Sequence, residues 1–277
     1  MLRIKKIKNR GKRTMSYVRD ENVDRKAKPC KALTSVLKKR SGRMRTGKIS
    51  VRHRGGGTRR RYRQIDFRQA ADKVTVERVE KDPNRSCFIA LVKDKNNQKY
   101  YYLACNKLKK GDVIYTREKA ENNKGNRSKL KNIQAGSIIC NVELYPDNGG
   151  KIARSAGSSV KLMGIENGMA QLKMPSGEIR LVKDECYATI GQMSNPENSA
   201  VRIGKAGRTR NMGKRPQVRG KTMNAKDHPH GGGEGLQSIG MPYPKTKWGK
   251  HALGVRTRPK KKASNKHIIR RRSKKRK

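Results

Sequence analysis

His228 and His230 stand either side of Pro229 and run into Gly231, Gly232 and Gly233, inside Met223–Gly235, which reads M-N-A-K-D-H-P-H-G-G-G-E-G. Imidazole ligates metals, moves protons and hydrogen-bonds to bases, so three chemistries compete here. A structural zinc normally takes four ligands. Asp227, His228 and His230 have no second ligand cluster, Pro229 stiffens the segment, and the cations crowded around it repel a metal. Acid–base catalysis needs a nucleophile, an orienting partner and a substrate pocket, and the sequence marks none. The third chemistry fits the neighbours: a shaped loop that plugs into RNA. In it Gly231–Gly233 present main-chain N–H groups to phosphates, Asp227 and Glu234 cap turns or hold arginines, and His228 and His230 stack on or bond to bases. No catalytic residue, metal ligand or cofactor is assigned.

Two further runs carry the same chemistry. Gly204–Gly220, G-K-A-G-R-T-R-N-M-G-K-R-P-Q-V-R-G, offers Lys205, Arg208, Arg210, Lys214, Arg215 and Arg219. Glycine entropy and proline's missing N–H predict that neither this run nor the histidine loop is a helix or strand interior. Residues 52–63, R-H-R-G-G-G-T-R-R-R-Y-R, offer Arg52, His53, Arg54, Arg59, Arg60, Arg61 and Arg63 around Gly55, Gly56 and Gly57. Glycines let a backbone approach phosphate, and arginines clamp it bidentately or stack on bases, with Tyr62 as a further face. No Gly-Lys-Ser/Thr follows, so this is not a nucleotide-binding P-loop.

The elements that must hold these runs are legible as composition shifts. Residues 65–200 hold 23 Lys+Arg against 16 Asp+Glu, whereas the rest of the chain holds 49 against 5. The net charge of +51 and a hydrophobic content of 32% imply an ordinary globular middle with two extended flanks that a polyanion neutralises. Nucleic acid suits better than an anionic membrane, because no amphipathic helix with a broad apolar face is visible. The longest apolar run, Cys87–Val92, is far too short to span a bilayer. The five cysteines lack C-x-x-C spacing and read as reduced thiols. The basic N-terminus, with Lys5, Lys6, Lys12 and Arg13, has no apolar stretch of a secretory signal and reads as an RNA-contacting arm.

Short alternating segments divided by turn residues predict small β-barrels. In the first, Val74–Val79, Phe88–Val92, Tyr100–Leu103 and Val113–Tyr115 are strands. Tyr100, Tyr101 and Tyr102 read as barrel packing rather than a base-stacking platform. In the second, Ser137–Leu144, Val160–Met163, Met169–Met174, Ile179–Val182 and Cys186–Ile190 are strands. A short helix is expected near Lys31–Lys39. The last stretch, 256–277, has 13 Lys+Arg and no acid, and predicts a tail disordered until phosphates neutralise it.

Taken in order, the runs at 52–68, D-P-N-R-S at 82–86, A-R-S-A-G at 153–157, P-S-G-E-I-R at 175–180, A-T-I-G-Q at 188–192 and the two glycine-rich signatures resemble one family along nearly the whole chain. It is the L-two family of large-subunit ribosomal proteins, which sit nearest the peptidyl-transferase centre. Lys247-Trp248-Gly249-Lys250 resembles its Trp-Gly element. The resemblance implies a mainly β protein with an OB-like barrel over 65–132 and an SH3-like barrel over 133–198. The basic extensions would be 1–64 and 199–277. It implies RNA contacts at Arg154 and at Met223, Asn224, Asp227 and His228 of the loop, with His228 tied to peptidyl transfer as support for the active RNA. Its expected partners are large-subunit rRNA, other ribosomal proteins, the small subunit and nearby tRNA, with no membrane. Its place is the large ribosomal subunit, in a bacterial cytoplasm or an organelle. Thr58, Asn211-Met212, Ala225-Lys226 and Leu236 depart from the family's usual residues.

Overall fold

The structure, a computed structural model, describes residues 2–4, 15–235 and 237–272. Lys5, Lys6, Lys12, Arg13, Leu236 and the end of the tail beyond 272 lie outside the described residues. The chain divides into two compact units. One is Lys39–Thr58 with Ala206–Ala263, and the other holds the remaining described residues.

The larger unit is mainly β. It opens with β1 (Leu2–Ile4) against β2 (Ser16–Val18). Then β3 (Val23–Asp24) leads to β4 (Thr34–Val36), which pairs with β5 (Arg61–Arg63). The helix expected near Lys31–Lys39 is a single 3-10 turn, Lys31–Leu33, followed by β4, because β-branched Thr34 and Val36 favour extended backbone.

The OB-like first barrel is built on β6 (Lys73–Lys81), β7 (Phe88–Asp94), β8 (Lys99–Leu103) and β9 (Val113–Tyr115), with strand order β3-β6-β7-β8 and β9 beside β6. A bulge between Val76 and Arg78 adds one residue to β6. It lets Val74, Val76 and Val79 face one core, although their spacing breaks strict alternation. The apolar run in β7 is buried on both faces. Phe88, Ala90 and Val92 join that core, while Ile89 and Leu91 join a second cluster with Cys87, Tyr101, Leu103, Cys105, Cys140 and Met193. Tyr102 packs in the first core, and the Tyr101 hydroxyl donates to the buried Glu80 carboxylate at 3.2 Å and accepts the Cys30 N–H at 3.0 Å. Tyr101 and Tyr102 are therefore both buried, on opposite faces of β8, and only Tyr102 lies in the core of the first barrel.

The second barrel comprises β10 (Arg127–Lys129), β11 (Ile138–Cys140), β12 (Val142–Glu143), β13 (Gly150–Ile152), β14 (Val160–Glu166), β15 (Met169–Lys173), β16 (Ile179–Lys183), β17 (Tyr187–Ile190) and β18 (Ile268–Arg270). Its main sheet runs β10-β17-β11-β14-β15-β16-β18, and β12 pairs with β13. The strand expected over 137–144 breaks at Asn141, whose φ of 47° turns the chain. Leu130, Ile139, Val142, Leu162, Leu172, Val182, Ala188 and their neighbours fill its core. Within it Arg127, fully buried, donates to Glu143 at 2.8 Å, to the Asn141 carbonyl at 2.9 Å and to Thr189 at 3.3 Å.

β18 corrects the expectation for the basic tail. Ile268–Arg270 adds to the edge of β16, and the Leu181 N–H donates to the His267 carbonyl at 2.8 Å. An open strand edge supplies main-chain partners whatever the charge of the incoming segment, and Ile268 and Ile269 make that segment fit to be a strand.

The smaller unit contains a short α-helix, α1 (Ala206–Asn211), and a 3-10 turn, Gly220–Thr222. This corrects the expectation that Gly204–Gly220 holds no helix. Gly207 falls in the first turn of α1, and Gly213, at φ 84°, follows its end and donates its N–H to the Arg210 carbonyl at 2.9 Å. Every buried apolar residue of the described chain lies in the larger unit. The smaller unit is held by turns, main-chain hydrogen bonds and glycine contacts.

Candidate nucleic-acid interface

The smaller unit brings together two runs about 150 residues apart in sequence. Arg215 donates its N–H to the His53 carbonyl at 3.0 Å, Gly55 to Gly213 at 3.0 Å, and Thr58 to Asn211 at 3.1 Å. Arg54 and Lys214 face each other as an antiparallel bridge. A Cβ on Gly57 would lie 2.8 Å from the Gly213 nitrogen, so glycine is needed for this approach. His53, at φ 56°, has its Nδ1 3.0 Å from the Pro216 carbonyl, which fixes a proton on Nδ1. The Lys39 ammonium donates to the Thr58 and Gly57 carbonyls at 2.6 and 3.2 Å. These contacts leave Arg52, Arg54, Arg210, Lys214, Arg215 and Arg219 exposed, while Arg208 is half-buried.

The histidine loop closes on itself through Met223 and Asn224. The Asn224 carbonyl accepts the N–H groups of Asp227 and His228 at 3.0 and 3.3 Å, and the Met223 carbonyl accepts that of Gly232 at 3.0 Å. Gly231 donates to the His228 carbonyl at 2.8 Å, and its own Cβ would lie 2.6 Å from the Met223 oxygen. The expectation that Gly231–Gly233 offer their N–H groups to phosphates is therefore corrected for Gly231 and Gly232, whose donors close the loop. The expectation for Asp227 and Glu234 is corrected as well. Among the described residues neither carboxylate caps a turn or holds an arginine, because main-chain bonds already shape the loop.

The two imidazoles are fixed by main-chain donors. His228 Nδ1 accepts the His230 N–H at 3.0 Å, and His230 Nε2 accepts the Lys245 N–H at 2.8 Å. An accepting nitrogen carries no proton, so neutral His228 is protonated on Nε2 and neutral His230 on Nδ1. The rings lie 4.9 Å apart, tilted by 58°. Gly220 lies against His228: a Cβ there would be 2.6 Å from Nδ1.

Sequence reading missed the hairpin that receives His230. Lys245 bridges His251, Thr246 donates its N–H to Lys250 at 2.7 Å, and Gly249, at φ 76°, makes the turn. Tyr243 stacks on His251 at 3.6 Å and 12°. Gly249 was its visible signal; nothing in the sequence tied it to His230. Beside it a cavity of about 270 Å³ is lined by Arg52, residues 217–220, Met223, His228 and residues 246–248.

The remaining expected contacts lie in the larger unit, and several serve the protein itself. Arg59, Arg61 and Lys205 are exposed. Arg60 is half-buried and donates to the Pro83 carbonyl at 2.9 Å. Arg63 is buried, 3.8 Å from the Asp82 carboxylate, which also accepts from Arg85 at 2.6 Å and from the Asn84 N–H at 2.9 Å. Arg63 thus holds the D-P-N-R-S turn. Arg154 is exposed over the Phe67 ring at 4.5 Å and donates to Gly150 at 3.3 Å. Elsewhere on this unit several acids, among them Asp72, Glu77, Glu80 and Glu118, are paired with cations. The Arg117 hydrogen bond holds the Asp72 carboxyl below its ordinary value, and that of Lys99 does the same for Glu77. Among the described residues no helix is long and apolar enough to cross a membrane.

The smaller unit, by contrast, holds 22 Lys+Arg against Asp227 and Glu234 alone. This is an electrostatic footprint for polyphosphate. Comparison with known proteins agrees. Residues 30–116 match the model of the ribosomal proteins L2 RNA-binding N-terminal domain, and residues 123–249 match that of the L2 C-terminal domain. A large ribosomal subunit protein uL2 of Rhodospirillum centenum is 51% identical over 252 residues, covering 90% of this chain and 91% of that protein. The uL2 of Maricaulis maris is 46% identical over 269 residues, 96% of each chain, and that of Roseobacter denitrificans is 49% identical over 254, covering 91% and 90%.

Proposed function

The chain belongs to the ribosomal protein L2 family, RNA-binding structural constituents of the large ribosomal subunit, and from that premise we propose that its smaller unit is the part that enters large-subunit rRNA and buttresses the peptidyl-transferase region. One observation carries this reading: the unit has a defined backbone and 22 cations but, among its described residues, no buried apolar side chain. Apolar burial is the main force that stabilises a fold. A unit without it needs an outside scaffold, and phosphate is the scaffold its charge selects. Arg52, Arg54, Arg210, Lys214, Arg215 and Arg219 contact phosphates, while the glycine-shaped loops set the site at which they do so. Subunit association and tRNA placement follow from the same position in a bacterial or organellar ribosome.

In this reading His228 acts through RNA shape. Its Nδ1 is committed to the His230 N–H, so it is oriented as a hydrogen-bond donor and peptide-bond formation stays with the RNA. Large subunits carrying His228→Gln are expected to form peptide bonds more slowly with an unchanged pH–rate profile. Loss of a titrating limb from that profile would instead make His228 a proton carrier.

Sedimentation of a lysate through sucrose gradients at moderate and high salt tests the wider reading. Salt weakens non-specific phosphate contacts steeply. The chain is expected to stay with the large subunit at both salts; its release into the soluble fraction at high salt would rule out integral placement.

A further inference from the structure

The sole tryptophan of the chain, Trp248, is 68% exposed on the most basic part of the molecule. It sits at the turn of the hairpin that His230 ties down and lines the cavity of about 270 Å³ with Arg52, Val218, Arg219, Met223 and His228. The lining pairs a large flat ring and a polarisable thioether with guanidinium groups, and it contains no acid. Drug-sized ligands occupy about 300–1,000 Å³, so this cavity suits something smaller and planar. His228 has a committed Nδ1 and a proton on Nε2, which makes it a donor for a ring nitrogen or carbonyl. Among the described residues Lys247 alone is placed over the indole, 4.9 Å from its centroid.

We propose that this cavity receives a single unstacked nucleobase of the RNA, laid against Trp248 and Met223, with Arg52 and Arg219 on the flanking phosphates. The proposal rests on the rRNA reading above and deepens it, adding an aromatic base contact to a surface otherwise described by phosphate attraction. Bases stack on aromatic rings irrespective of sequence, whereas a fully paired duplex has no free base to offer. The site is therefore selective for an unpaired or bulged nucleotide. Trp248 bears the stacking, and His228 selects the base edge.

Because Trp248 is the only indole, its emission reports on this cavity alone when the full chain is mixed with protein-free large-subunit rRNA. Saturating rRNA is expected to quench it, and a paired RNA duplex that binds by charge is expected to leave it near its free value. Trp248→Ala, followed by fluorescence of a labelled RNA, is expected to bind rRNA about 5- to 150-fold more weakly, the loss of one stacked base, with duplex affinity unchanged. Trp248→Phe, which keeps a stacking ring, is expected to recover most of the loss. Unchanged Trp248 emission at saturation, or equal rRNA affinity for the wild-type and Trp248→Ala chains, overturns the base pocket and leaves the rRNA reading standing. Failure of the wild-type chain to prefer rRNA to duplex overturns both.

Discussion

At the residue scale, glycines define the interface by what they exclude. Gly231 has no positive φ, yet a Cβ there would press on the Met223 and Asn224 carbonyls. Backbone cannot step aside as a side chain can, so overpacking of this kind costs about 1–3 kcal/mol. Gly207 offers the opposite case. It lies inside α1, a Cβ there meets nothing within 4 Å, and alanine is favoured over glycine in a helix by about 1 kcal/mol. Gly231→Ala is therefore expected to loosen the histidine loop and weaken incorporation into large subunits, while Gly207→Ala leaves incorporation intact. Competition of each variant with the wild type during subunit assembly measures this. Equal incorporation of both would mean that loop closure does not depend on the Gly231 contact. Arg63 shows the limit of reading residues one at a time: an arginine in an arginine run looks like a phosphate clamp, but this one is buried on Asp82.

At the scale of elements, the second barrel encloses a charge pair that its strands could have done without. Arg127 on β10 and Glu143 on β12 are both buried, and Glu143 also accepts the Tyr187 N–H at 3.1 Å. Burial favours the neutral form of Arg127 and lowers its affinity for a proton, while Glu143 opposes that effect. Removing one partner leaves the other charge buried without compensation, which typically costs about 3–5 kcal/mol. Arg127→Met alone is expected to lower the urea midpoint strongly, and Arg127→Met with Glu143→Leu to lower it less. The double variant retains some loss, since the Tyr187 N–H is left without its acceptor. If the double variant proves as unstable as the single, the pair is not the origin of the loss.

For the molecule as a whole, stability and binding are divided between the two units. The larger unit has the hydrophobic cores; the smaller has the charge excess and, among its described residues, no fully buried apolar side chain. Segments with few buried contacts open at low free-energy cost. Limited trypsin digestion of the free chain should therefore cut first within 39–58 and 206–263, at the exposed arginines and lysines, and spare the barrels. Large-subunit rRNA should slow those cuts by at least about tenfold, since binding to the closed form suppresses opening by mass action. Cleavage in the barrels at the same rate, or no protection by rRNA, would refute this division.

Much of this protein follows from its sequence alone. Charge placement, alternating strands with turn residues, and the glycine–histidine signatures determined a mainly β protein with RNA-binding basic flanks. Each of those signals is local: alternation encodes a strand, and lysine or arginine encodes affinity for phosphate wherever it stands. Tertiary structure alone decided which distant segments meet. The pairing of His53–Thr58 with Asn211–Arg215 uses main-chain donors and acceptors, which are the same in every residue but proline and leave no mark in sequence. The glycines announce that a backbone comes close, without naming which one. The same physics added Ile268–Arg270 to an open sheet edge, buried Arg63, and set Trp248 beside Met223 and His228. A residue's chemistry is fixed by its side chain, but its partner is fixed by where the whole chain carries it.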